Sequence, residues 1–402
     1  MQTYGLIVIG SGPAGVSAAQ AYLKEGGAGP VLLVSADAHE PYQRPPLSKG
    51  TLRAESEPER TPLEEAKALC DVELRLGTTV TGLDVEERTL SLGEETVGFE
   101  RLVLASGSRP LGLPTADDDA DVRVLRSFAD LERLHESAGH ARSALVVGSG
   151  FIGCEAAVSL ATRGLDVALV SQEAAPQVER LGERAAQLIT ELLEGYGVEL
   201  HLGTEVTAVR APRTVHLSDG RTLEPDLVLV AVGVEPSTDF LQDSGLQLHE
   251  GRVVVDEHLQ TSVDGVYAAG DAARALHAVA RRPIPVEHWG DAQAMGELAG
   301  ANAAVAQGVW EAVPGFWSTI GEHTLQYAAW GDGYDAVEVV EQPGRLTVWY
   351  GREGDLVGVL GYNATDDYER GQQLIAQGAT LEAAVRGDRP EPSEDDGEAP
   401  QG

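Results

Sequence analysis

The sequence predicts an α/β protein built from two Rossmann-like dinucleotide-binding domains and a C-terminal α+β domain with an antiparallel sheet. Three observations carry this. An apolar strand runs into "GSGPAG" and an alanine-rich helix; the strand, glycine turn and helix return at "GSGFIG"; and beyond Pro314 the pattern changes to alternating, aromatic-rich segments.

In chain order, Leu6 to Ile9 reads as a strand, Val16 to Leu23 as the helix and Val31 to Val34 as a second apolar strand, which completes a βαβ unit. The proline-, glycine- and aspartate-rich stretch "PLGLPTADDDADV" (110–122) reads as a linker. From Ala144 the unit recurs as "ALVVGSG", "CEAAVSLATRG" and "DVALV", and the apolar run "LVLVAVGV" (227–234) is expected to be one strand closing the second domain. "LTVWYGREGDLVGVLGYN" has the pattern of an antiparallel hairpin. The ending "DRPEPSEDDGEAPQG" is proline-rich and acidic with nothing to bury, and a disordered tail is expected there.

Composition bounds the function. A chain of 402 residues with 43% hydrophobic residues can fold as two or three ordinary domains. The net charge of -35 repels nucleic acid and anionic membranes over most of the surface. There is no run of about 18 apolar residues and no secretory leader pattern, so a soluble, cytoplasmic protein is expected. Two cysteines, Cys70 and Cys154, make neither a disulfide framework nor a metal-site spacing. Cys154 follows Gly153 near a helix start, where the dipole can activate a thiol; the other reading is a small buried filler.

In the first glycine turn, Gly10 permits the tight bend, Gly12 lets backbone approach a pyrophosphate, and Gly15 lets helix and strand close up. Asp37, at the end of the next strand, is placed to accept a ribose hydroxyl. Gly148, Gly150 and Gly153 repeat the logic. Two dinucleotide sites in one chain most simply hold one cofactor permanently and exchange the other, the arrangement of a flavoprotein reduced by a nicotinamide. A third signal, "TSVDGVYAAGDAA", runs a small apolar strand into Gly270 and Asp271; alone it is equally an ordinary Gly-Asp turn.

With these motifs in order, the chain resembles the FAD-dependent pyridine nucleotide-disulfide oxidoreductases. "TSVDGVYAAGDAA" is similar to their second flavin motif, "LVLASGSRP" to their crossing between cofactor domains, and "VEHWGDAQAMGELAGANAA" to their helix pointed at the flavin. "PYQRPPLSK" and "GFWS" resemble the ferredoxin reductase type, the group that includes putidaredoxin reductase and apoptosis-inducing factor, over residues 1 to about 385.

The resemblance implies FAD contacts at Arg44, Lys49, Arg109 and Asp271, with Glu155 facing Lys49 across the nicotinamide pocket. It also marks Pro13, Ala14, Val80, Phe151, Ile152, Gly233, Glu287, His288 and Trp289 as cofactor-binding. Trp317 either stacks on the nicotinamide side or relays electrons, or else anchors the third domain. Lys49 and Glu155 are the candidate catalytic pair, because a lysine beside the flavin stabilises the negative charge that develops on reduction and a carboxylate holds the ammonium. "PYQRPPLSK" lacks the cysteines of the disulfide-reducing relatives, so electrons are expected to leave the flavin directly.

The implied activity is electron transfer from NADH or NADPH through FAD to a small ferredoxin-like carrier protein. The rivals are a quinone or oxygen acceptor, or a redox-sensing flavoprotein like apoptosis-inducing factor. Ser171 stands where NADH users usually place an acid, followed by Gln172 and Glu173, with no arginine before Arg180; NADH is the expected donor. An acidic carrier would need a local basic face, for which Arg53, Arg281 and Arg282 are candidates. The expected domains are 1–112 with 237–312 for FAD, 113–236 for the nicotinamide, 313–387 C-terminal, and 388–402 the tail.

Overall fold

The structure, a computed structural model, describes residues 1–54 and 56–387. The tail expected at 388–402 lies outside the described residues. The chain divides into two compact units, Met1–Glu311 together with Ser318–Thr324, and Ala312–Trp317 together with the chain from Leu325.

The first unit holds both dinucleotide-type sheets. Thr3–Ile9, six of whose seven residues are buried, lies parallel between Val31–Val34 and Glu95–Leu104, with Leu6 paired to Val31 and to Arg101. Val266–Ala268 adds to the far side of Glu95–Leu104 in parallel register, Val266 against Leu102. Thus the end of "TSVDGVYAAGDAA" emerges beside the strand that ends at Leu104, about 160 residues away in sequence but at the same edge of the sheet. The second sheet is parallel throughout, in the order Glu199–His201, Asp166–Val170, Ser143–Val147, Leu227–Val230, Val122–Arg123. Strands this apolar on both faces need cover on both sides, which is why they form parallel sheets.

The helix Pro13–Lys24 begins with proline, whose missing N–H costs nothing in the first turn. It packs against Trp289–Ala304 backbone to backbone: a Cβ at Gly296 would lie 2.1 Å from the Ala14 carbonyl oxygen, and one at Gly300 would lie 2.0 Å from that of Ala18. The glycines of "GELAG" are therefore what seat the second helix against the first glycine turn.

Two expectations need correction. The run 227–234 is not one strand: Leu227–Val230 stays in the sheet, Gly233 turns at φ 119°, and Val234–Pro236 pairs antiparallel with Ser108–Pro110 in a two-stranded crossing. Apolarity could not show the break, because both pieces are apolar. The stretch 110–122 is also more ordered than a linker, with Ala116 bridged to Val209 and Val122–Arg123 in the second sheet.

In the second unit, Arg345–Arg352 and Asp355–Tyr362 form the expected hairpin, turned by Glu353 (φ 54°) and Gly354 (φ 93°), the two positive angles that a tight two-residue turn requires. The antiparallel order runs from His323–Ala329, paired from Leu325 on, through Asp355–Tyr362 and Arg345–Arg352 to Ala336–Gln342. Trp349 and Val359 are buried in its core beneath Leu374 and Ile375 of the helix Thr365–Ala376. Among the described residues no helix is long and apolar enough to cross a membrane.

Candidate functional site

The two glycine turns are built alike, atom by atom. A Cβ on Gly10 would sit 2.1 Å from the Ala105 carbonyl oxygen, and one on Gly148 would sit 2.3 Å from that of Ala231. A Cβ on Gly15 would meet the Gly10 oxygen at 1.9 Å, and one on Gly153 the Gly148 oxygen at 2.1 Å. Even the serines repeat: the Ser11 and Ser35 hydroxyls lie 2.7 Å apart, those of Ser149 and Ser171 2.6 Å apart. Each turn presents a helix N-terminus, with Pro13 and Ala14 buried behind the first and Phe151 and Ile152 opening the second.

The turns differ in their cover. A Cβ on Gly12 would touch the Arg44 guanidinium at 2.6 Å, whereas one on Gly150 would meet nothing within 4 Å. Arg44 retains some solvent contact, but its Nε is fully enclosed and has no hydrogen-bond partner. Enclosure, and then the neighbouring Arg126 guanidinium, lower its pKa. An orphaned buried cationic donor above a glycine turn at a helix N-terminus fits a bound pyrophosphate.

Asp37 lies after Val31–Val34 with both carboxylate oxygens engaged. Its Oδ1 accepts from the His39 backbone N–H (3.0 Å) and faces His39 Nδ1 (2.9 Å), and its Oδ2 accepts from the Tyr42 hydroxyl (2.7 Å). Burial alone would raise its pKa, but these bonds outweigh it and hold Asp37 below its ordinary value. Burial in turn pushes the Tyr42 hydroxyl up to about 12. Val80 is buried.

Asp271 sits in a turn after Val266–Ala268, and its Oδ2 accepts from Ser108 Oγ (2.5 Å) and from Arg126 Nη2 (2.8 Å). Arg126 also donates from Nε to the Ser108 carbonyl (3.1 Å). Sequence reasoning missed Arg126, which belongs to no motif and merely precedes Ser127, the cap of the helix Phe128–His140, and it gave no role to Ser108 although that serine lies in "LVLASGSRP". Arg109, expected to contact FAD, follows Ser108 in the same short strand and forms an exposed pair with Glu235 (2.9 Å) and Asp239 (2.6 Å), since strand alternation puts it on the opposite face from Ser108.

Lys49 and Glu155, 106 residues apart, meet at 2.7 Å. Lys49 ends the short turn Pro45–Ser48, and Glu155 lies in the first turns of Phe151–Thr162 with 2% of its surface exposed. Four donors serve the carboxylate. Oε2 accepts from Ser48 Oγ (2.5 Å) and Lys49 Nζ (2.7 Å), and Oε1 accepts from Ser318 Oγ (2.7 Å) and the Thr319 N–H (3.2 Å). Such saturation is what an ionised carboxylate out of water requires.

Gly233 stands in the crossing, where its carbonyl accepts from the Leu111 N–H. Glu287 pairs with Arg252, and His288 Nδ1 lies 2.8 Å from Asp291, ahead of Trp289 at the helix start. Trp317, in the second unit, is 45% exposed. Cys154 is wholly buried, its thiol donates to the Ser149 carbonyl and burial raises its pKa well above the usual thiol range, so it is filler. Cys70 is exposed and free. Ser171 is buried against Ser149; the acid at the second turn is Glu173, whose Oε2 accepts from Ser149 Oγ (2.9 Å) and the Gln177 N–H (3.1 Å).

Comparison with known proteins agrees with this geometry. Residues 315–392 match the reductase C-terminal family model. The ferredoxin reductase component of chlorobenzene dioxygenase from Cupriavidus sp. is 32% identical over 94% of this chain and 93% of its own. Apoptosis-inducing factor 3 from Mus musculus is 29% identical over 94% of this chain; the chain spans 64% of that relative's length. Among solved structures, the covalent putidaredoxin reductase–putidaredoxin complex matches with a TM-score of 0.85 at 27% identity, covering 96% of this chain and 99% of that one. Residues 4–308 match the family model for pyridine nucleotide-disulphide oxidoreductases, and with both glycine turns and the Asp271 strand in place the chain belongs to that family.

Proposed function

We propose that this chain is an FAD-dependent NAD(P)H:acceptor oxidoreductase of the cytoplasm that passes electrons to a small ferredoxin-like protein. The observation that carries the reading is the Lys49–Glu155 pair, a cation locked by a saturated, buried carboxylate beside an open glycine turn. When bound, FAD would accept two electrons from a reduced nicotinamide and release them one at a time.

The protein's own residues do the rest. The N–H groups behind Gly12 and the Arg44 guanidinium would hold the FAD pyrophosphate, Asp37 the ribose, and Asp271, fixed by Ser108 and Arg126, the ribityl chain. The turn at Gly148–Gly153, with no arginine over Gly150, would admit and release the nicotinamide dinucleotide. Lys49 holds a fixed positive charge and Glu155 keeps it from swinging into solvent; neither needs to transfer a proton. That the resembling proteins include ferredoxin reductase components, one of them joined to putidaredoxin, supports a protein acceptor.

Anaerobic mixing of the FAD-loaded protein with NADH should bleach the flavin absorbance, and oxidised ferredoxin should restore it. Failure to bleach would defeat the reading. Recovery with a quinone but with no ferredoxin would replace the acceptor. Slow turnover even with ferricyanide would favour a sensor.

A further inference from the structure

Ser318 is the last residue of "GFWS", a motif that assigned it no role of its own, and the structure ties it to the Lys49–Glu155 pair. The segment Ser318–Thr324 is part of the first unit although the chain on both sides of it is not. It is clamped there: Arg53 donates from Nη2 to the Gly321 carbonyl (2.8 Å), and the Tyr196 hydroxyl accepts from the Glu322 N–H (3.2 Å). Gly321, at φ 64°, lies so close to Tyr196 that a Cβ there would fall 2.2 Å from the ring. Arg53 reaches across to Ser159 Oγ (3.3 Å), and Ser159 donates to the Ser48 carbonyl (2.7 Å), so the clamp and the Lys49 turn share one set of bonds. The clamp delivers Ser318, 1% exposed, to Glu155 Oε1 at 2.7 Å.

We propose that Ser318 is a positioning residue for the reactive lysine: its hydroxyl fixes Oε1 so that Oε2 stays directed at Lys49. Without it, Oε1 would keep only the longer bond from the Thr319 N–H, and the carboxyl group could rotate away from the ammonium. What the held lysine is for rests on the function proposed above; that Ser318 holds it does not.

The chain has three lysines, Lys24, Lys49 and Lys67, which makes the test direct. The FAD-loaded protein is acylated with acetic anhydride at fixed pH, and the rate at Lys49 is read by peptide mass spectrometry against Lys67, whose side chain is 69% exposed. Ser318→Ala should raise the Lys49 to Lys67 ratio about three- to thirty-fold, the range open to a lost charge-assisted hydrogen bond that is partly transmitted. In a Glu155→Gln background the same change should add nothing. Gly321→Ala, which displaces the clamp without touching Glu155, should act in the same direction and serves if Ser318→Ala folds poorly. An unchanged ratio in Ser318→Ala, or an equal rise with and without Glu155, would overturn the proposal. As a second readout, Ser318→Ala should slow flavin reduction at saturating NADH while the NADH dissociation constant stays within about two-fold. If the labelling changes as expected but wild-type FAD is not reduced by NADH, the positioning role stands and the functional reading fails.

Discussion

Lys49 and Glu155 show most clearly how chemistry is assigned at the scale of single residues. A buried ion pair is weak evidence for stability, since desolvating two charges offsets their attraction. Here the pair stands at the edge of a site, with Lys49 side-chain exposure of 17% against 2% for Glu155, which suits a charge displayed to a ligand. Lys49→Met is therefore expected to slow flavin reduction by roughly ten- to a thousand-fold while FAD remains bound, the scale of one well-placed electrostatic group. Stopped-flow spectroscopy checks this, and an unchanged rate would leave the pair a purely structural one. Glu173 makes a second prediction. Its carboxylate faces the second turn through Ser149, where a 2′-phosphate would meet like charge. NADH should be preferred, and Glu173→Ala should shrink the NADH to NADPH ratio of kcat/KM by about ten-fold, equivalent to ~1.4 kcal/mol of repulsion. Better use of NADPH by the wild type would refute the assignment.

At the scale of elements, the first glycine turn depends on the helix that crosses behind it. Gly296 and Gly300 let Trp289–Ala304 lie against Ala14 and Ala18 with no side chain between the backbones. Replacing Gly296 by valine would drive a branched side chain into the Ala14 carbonyl, which cannot move without shifting the turn. Overpacking of this kind costs about 1–3 kcal/mol or more when backbone must move. Gly296→Val should lower the thermal midpoint by several degrees and weaken FAD retention on gel filtration far more than Gly290→Ala, where a Cβ would meet open space. Equal FAD retention in the two variants would mean that the helix contact does not support the turn.

Across the whole molecule the path of the electrons is decided by what the thiols can do. Cys154 is sealed in the interior and Cys70 is exposed and free. Dithionite titration should therefore end at two electrons per FAD, and the Cys70→Ser, Cys154→Ser double variant should reduce ferricyanide at nearly the wild-type rate. Uptake of four electrons would expose a thiol relay and overturn the direct exit. Turnover with a protein acceptor should change markedly with ionic strength, while ferricyanide serves as the control for flavin access. Of the three arginines considered for a basic face, Arg53 is committed to Ser159 and Gly321.

The local pattern alone determined the two glycine turns, the Asp271 turn and the hairpin over 346–363, because each rests on a backbone geometry or a short motif that neighbouring residues dictate; Lys49 and Glu155 were singled out as a pair by the family resemblance of the ordered motifs. Sequence could not reveal the break at Gly233, since the apolar run on both sides looks continuous. Nor could it show that Arg126 reaches Asp271, since the two are 145 residues apart in the chain and only the fold brings them together. The hydroxyls of Ser318 and Ser48 are the clearest case. Each is an ordinary serine until the fold brings residues 48, 155 and 318 within one set of hydrogen bonds, and only tertiary packing, which excludes water from Glu155, makes those bonds matter.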